Sequence, residues 1–98
     1  MIYVDTLKIT KKQTRRWKYP FYAHMVGDTE KELITFAQSL GLREEWIQRS
    51  HLDGIVHFDL NRNLWNNARK YGAKLLKAEE WRNKLKEIRK GEEHETIQ

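Results

Sequence analysis

Two histidines and three aspartates stand in the short apolar runs of this 98-residue chain. Asp5 lies in "IYVDTLKI" (2–9), His24 and Asp28 in "PFYAHMVGD" (20–28), and His57 and Asp59 in "IVHFDL" (55–60). A histidine paired with an aspartate twice, each time at a strand end, suits general acid–base work or a divalent cation bound through nitrogen and oxygen. His24, His57 and Asp59 are the candidate metal ligands. Their spacing matches no compact motif such as H-E-x-x-H, and phosphate-cradling glycine loops and a G-x-S-x-G elbow are absent. The chain has no cysteine, which removes thiolate catalysis, thiolate metal sites and disulfides together. Ser39 and Ser50 have no nucleophile motif around them.

Each of these residues also has a local reading. Asp28 is accounted for by the dipole of the helix that starts beside it. Asp59 has an alternative as the cap of a helix starting near Asn61. A single histidine is more often a hydrogen-bonded, half-buried side chain than a ligand.

The net charge of +5 is unevenly spread. "KKQTRRWK" (11–18) holds five basic residues in eight, and "RNKLKEIRK" (82–90) holds five more against one glutamate. Arg15, Arg16 and Lys18 are candidate phosphate contacts, unless the run is simply solvated surface. Trp17, set among them, either stacks on a base or anchors the loop. Trp46, Trp65 and Trp81 fall at core positions of helical patterns.

Positioning these groups requires a set of elements that the pattern supplies. Residues 2–9 read as a strand and 20–26 as a second, with Pro20 tolerated only at its start. Thr29 and Glu32 form a capping box ahead of Leu33, Ile34, Phe36, Ala37 and Leu40, and Gly41 stops that helix. "REEWIQ" (43–48) reads as a helical turn and 55–60 as a third strand. Asn61 caps a helix that buries Leu64, Trp65, Ala68 and Tyr71 and ends at Gly72. Residues 73–76 make a fourth short strand. Trp81, Leu85 and Ile88 then form the buried stripe of a last helix, closed by Gly91.

The order β-β-α-β-α-β-α predicts an α/β or α+β fold: one small domain over 1–91 with a short mixed sheet of about four strands, and a frayed acidic tail over 92–98. Alternation puts Tyr3 with Asp5, Tyr22 with His24, and His57 with Asp59, each opposite an apolar face. Asp5, His24, Asp28, His57 and Asp59 are therefore expected to meet at one site beyond the strand ends. No apolar run nears the ~20 residues that span a bilayer, and the start lacks signal-peptide features, so a cytoplasmic protein is expected. Four tryptophans leave apolar surface that a homo-oligomer would cover.

The segments "IYVD", "HMVGDT", "ELITFAQSLGL", "WIQ", "HFDL" and "GA" occur in an order that resembles a family of small bacterial and phage proteins, domain of unknown function 4031. The resemblance spans roughly residues 1–76, on Tyr3, Asp5, His24, Asp28, Trp46, Gln48, His57, Asp59 and Gly72. The chain departs from the family at Phe58, usually tyrosine, and at Leu64 and Trp65, where the family carries a Lys-Arg pair. The resemblance implies a site built from the His/Asp pairs and brings no activity with it. Its phage members imply a host-takeover or counter-defence use.

The leading expectation is a binding module for a phosphate-bearing small ligand such as a nucleotide. It would use Tyr3, Asp5, Arg15, Arg16, Trp17, Lys18, His24, Asp28, His57 and Asp59. The alternatives are nucleic-acid binding through 11–18 and the last helix, a divalent-metal-dependent phosphoesterase, and a protein inhibitor using the charged helix.

Overall fold

The computed structural model describes residues 1–50 and 54–97. In chain order these form β1 (Ile2–Val4), β2 (Lys8–Ile9), β3 (Phe21–Gly27), α1 (Glu30–Ser39), a tight helical turn (Glu44–Trp46), β4 (Gln48–Arg49), β5 (Val56–Leu60), α2 (Arg62–Lys70), β6 (Lys74–Leu75) and α3 (Ala78–Ile97). The class is α+β, with a mixed sheet ordered β4-β5-β3-β1-β6 and β2 paired to β3. Only β1 and β6 among these pairs run parallel. The described strands number six where about four were expected.

Both additional strands have physical causes. Val4 faces Met25 and Lys8 faces Tyr22, so three residues (5–7) oppose two (23–24). This is a bulge, and it splits the segment read as one strand into β1 and β2. At the bulge the Asp5 carboxylate accepts the His24 backbone N–H at 2.7 Å. β4 is two residues that pair with His57 and Val56 of β5. So short a segment leaves no periodic signature.

The helix ends follow the capping chemistry. Thr29 Oγ1 accepts the Glu32 N–H at 3.2 Å. Glu32 does not complete the reciprocal bond of a capping box; its carboxylate meets the N-terminal ammonium instead. At the other end Gly41 takes a φ of 88°, with the Leu42 N–H returning to the Ala37 carbonyl. Asn61 Oδ1 caps α2 by accepting the Leu64 N–H at 2.9 Å, and Gly72 (φ 113°) ends it. Asp59 is thereby released from the capping role. Gly91 does not end α3, which runs on to Ile97; glycine inside a helix costs only about 1 kcal/mol. Gln98, the end of the expected tail, lies outside the described residues.

Thr29→Ala is expected to lower stability by about 1 kcal/mol, as the loss of an N-cap acceptor does. A denaturant midpoint unchanged from wild type would contradict the cap.

The sheet is covered on both faces. Val4, Met25, Val56, Phe58 and Leu60 point to one side and pack with Leu33 and Ala37 of α1 and Ala68 of α2. Tyr3, Val26 and Ile55 point to the other, where α3 lays down Trp81, Leu85 and Ile88 as their spacing predicted. Tyr71 is 64% exposed and is not part of the buried face of α2 assigned to it. Trp65 is half-buried and donates its Nε1–H to the Asp5 carbonyl at 2.9 Å. Among the described residues no helix is long and apolar enough to cross a membrane.

Candidate metal centre and adjoining cleft

His24 on β3 and Asp59 on β5 are directly opposed in the sheet, and His57 lies two residues before Asp59 on the same face. The two imidazole rings stand 5.4 Å apart, centroid to centroid. His24 Nε2 is 3.8 Å from Asp59 Oδ1, and His57 Nε2 is 3.5 Å from the same oxygen. One ligand atom of each residue lies within 4.8 Å of the others. Two atoms held about 2.0–2.1 Å from one ion are at most about 4.2 Å apart, so small side-chain rotations close the set.

The remaining atoms of these three side chains are already committed. His24 Nδ1 is 2.9 Å from Asp5 Oδ2. A carboxylate only accepts, so Nδ1 donates its proton to Asp5 and Nε2 is left facing Asp59. His57 Nδ1 is 3.3 Å from the Ile55 carbonyl, which fixes the same tautomer. Asp59 Oδ2 accepts from Gln48 Nε2 at 2.8 Å, leaving Oδ1 to face the histidines. Each inward-facing acceptor therefore has an outer partner that orients it, as in carboxylate–histidine–metal arrangements.

Asp5 is the most heavily used of these partners. It is 4% exposed and holds Lys8 Nζ at 2.6 Å besides the ring and the backbone N–H of His24. Burial pushes its carboxyl upward, but the His24 ring, the His24 N–H and Lys8 together outweigh burial and hold it below the 3.8 of an ordinary aspartate. A lowered carboxyl stabilises the fold in full above its unfolded pKa, and that stability is lost as pH falls through the folded value. Asp5→Asn is thus expected to cost about 1.5–3 kcal/mol at neutral pH. The gap to wild type should shrink below about pH 4. Denaturant midpoints that keep a constant gap on acidification would contradict the ionised bridge.

Beside this cluster lie two adjoining cavities. One of about 330 Å³ is walled by Arg16, Trp17, Tyr22, His24, Gln48 and Asp59. The other, about 570 Å³, shares Arg16, Trp17, Gln48 and Asp59 with it and extends past Tyr19, Trp46 and Leu64. On the opposite side His24 and His57 border a smaller space of about 160 Å³ under Trp81 and Leu85 of α3.

The expected site residues therefore divide. Asp5, His24, His57 and Asp59 come together, with Arg16 and Trp17 across the cavity. Trp17 Nε1–H donates to the Phe21 carbonyl at 3.3 Å, so it anchors the basic loop while lining both cavities. Arg15 and Lys18 are solvent-facing and line none of these three spaces. Tyr3 and Asp28 do not join the cluster. The Tyr3 hydroxyl donates to Asp28 at 3.1 Å, and Lys84 of α3 sits 4.6 Å over the Tyr3 ring and 4.0 Å from Asp28. They tie α3 to the sheet.

Sequence reasoning assigned no function to Gln48 beyond its place in the resemblance, and it put Trp46 in the core. Trp46 is 51% exposed and lines the larger cavity.

The profile of a family described as protein of unknown function (DUF4031) matches residues 2–88. The chain belongs to this family. The match runs beyond the 1–76 expected from the quoted segments and takes in the first half of α3, with Trp81, Leu85 and Ile88. No curated protein and no solved structure matches the chain.

Proposed function

We propose that this protein is a divalent-metal-dependent phosphoesterase whose ion is held by His24, His57 and Asp59. The observation that carries the reading is the convergence of two imidazole Nε2 atoms on one carboxylate oxygen, while each ring's Nδ1 is turned to an outer acceptor. Such a set calls for a positive charge at its centre, and two nitrogens with one oxygen match the ligand preference of zinc-like transition metals. Three protein ligands leave coordination positions open, which is the mark of catalytic rather than structural sites.

A cation bound there supplies Lewis acidity toward a phosphoryl oxygen and a water activated for hydrolysis. The protein's own residues do the rest. Asp5 and the Ile55 carbonyl hold the two rings in the ligating tautomer, and Gln48 fixes the carboxylate. Arg16, on the wall of both cavities, offers a guanidinium to the phosphate. Turnover rather than sequestration of a phosphate-bearing ligand is what three protein ligands with open coordination positions favour.

The test uses protein stripped of metal and then loaded with zinc, manganese, cobalt or magnesium in turn, with p-nitrophenyl phosphate as monoester and bis(p-nitrophenyl) phosphate as diester substrate. Turnover that chelator abolishes and one of the metals restores is expected. Absence of turnover under every metal would contradict the proposal.

A further inference from the structure

We infer that the larger cavity is a nucleobase site, so that the phosphate ester handled at the metal centre belongs to a mononucleotide. This inference rests on the phosphoesterase reading above and names its substrate class. At about 570 Å³ the cavity falls inside the ~300–1,000 Å³ usual for small-molecule sites. Its apolar walls set aromatic rings beside the aliphatic Leu42, Ile47 and Leu64: Trp17 and Tyr19 from the basic loop stand edge to face at 5.1 Å, and Trp46 enters from the turn before β4.

Trp46 is the telling residue. A tryptophan at 51% exposure forgoes much of the burial that its size offers, and Arg43 lies 5.7 Å from its ring, where it holds the side chain in place. Flat aromatic surfaces left open beside a cation are what single nucleobases stack on.

The polar groups on the same walls decide between a base and an aliphatic group. Glu45, Gln48 and Asn61 line the cavity, and an aliphatic chain would strip them of water without offering hydrogen bonds in return. A base edge carries both donors and acceptors. The connection to the metal centre is direct, since Arg16, Gln48 and Asp59 also wall the smaller cavity next to His24. A base in the larger space and a phosphate in the smaller would therefore lie against the same four residues, Arg16, Trp17, Gln48 and Asp59.

Calorimetric titration of the zinc-loaded protein with the four common ribonucleoside monophosphates, ribose phosphate and inorganic phosphate tests this. At least one nucleotide should bind about tenfold or more tighter than ribose phosphate, the increment that stacking on an aromatic side chain supplies. Trp46→Ala should bring that ratio close to one. Ribose phosphate binding as tightly as every nucleotide, or a ratio that survives Trp46→Ala, would overturn the inference, as would no binding at all. A short oligonucleotide binding more tightly than any monomer, with an affinity that falls steeply with salt, would overturn the mononucleotide assignment. Failure here with intact hydrolysis of bis(p-nitrophenyl) phosphate leaves the metal reading standing. Nucleotide binding without metal uptake leaves the cavity assignment standing and removes the phosphoesterase.

Discussion

His57→Ala should weaken divalent-metal binding by at least about a hundredfold and remove phosphoesterase turnover, while the protein stays folded. The lower bound comes from what even an outer partner of a metal ligand costs when removed, about 10–100-fold. His57 is the cleanest of the three ligands to delete. Its Nδ1 meets a backbone carbonyl at 3.3 Å, and the Asp59 carboxylate 3.5 Å from its Nε2 keeps Gln48 as a partner when the ring is removed. His24→Ala is less clean, because it takes one of three partners from the buried Asp5 carboxylate and so lowers stability as well. Equilibrium dialysis against zinc with a parallel urea titration separates the two effects. A folded His57→Ala protein that binds metal as wild type does would exclude the ring as a ligand.

Phe58→Ala should do the opposite. Phe58 is 1% exposed, the largest fully buried side chain, and sits between Met25 on β3 and the helices of the first face. Truncating a buried phenylalanine costs about 3–5 kcal/mol through lost transfer energy and the cavity left behind. That is a large part of the ~5–15 kcal/mol that holds a small domain together. The denaturation midpoint should fall sharply, while protein that remains folded keeps its metal affinity. Residues 57, 58 and 59 thus carry alternating consequences, function, stability and function, because a strand sends successive side chains to opposite faces. Equal loss of stability at all three positions would mean that β5 is not half-buried in this way.

Strand alternation is also why the centre of the candidate site was legible in the sequence. Period two in "FYAHMV" and "IVHFDL" put His24, His57 and Asp59 on the polar faces of their strands, and the capping signals at Thr29 and Asn61 placed the helices that cover the apolar side. What alternation does not carry is position along the sheet. Asp28 lies four residues beyond His24, and at about 3.3 Å per residue the two stand roughly 13 Å apart, so Asp28 serves Tyr3 and Lys84 instead. Nor does it carry register. The bulge at residues 5–7 turns Asp5 from one more candidate ligand into the partner that fixes the His24 tautomer.

Short segments and single exposures were opaque for a different reason. β4 is two residues long, and Gln48 reaches Asp59 only because that pair joins the edge of β5. Trp46 fits a helical core pattern, yet the turn that carries it is a single one and leaves its ring half in solvent. Composition ranks tryptophan as buried on average, and a binding wall is one of the places where that average fails.

A metal held between His24 and His57 must meet their Nε2 nitrogens. Nitrogen-resolved NMR of the histidine rings during a zinc titration reports this without any substitution. The prediction is that the Nε2 resonances of His24 and His57 shift together and saturate at one ion per chain, each ring keeping its proton on Nδ1, while the other two histidines of the chain stay unmoved. Zinc that moves all four rings in proportion, or that leaves His24 and His57 untouched, would contradict a metal centre between them.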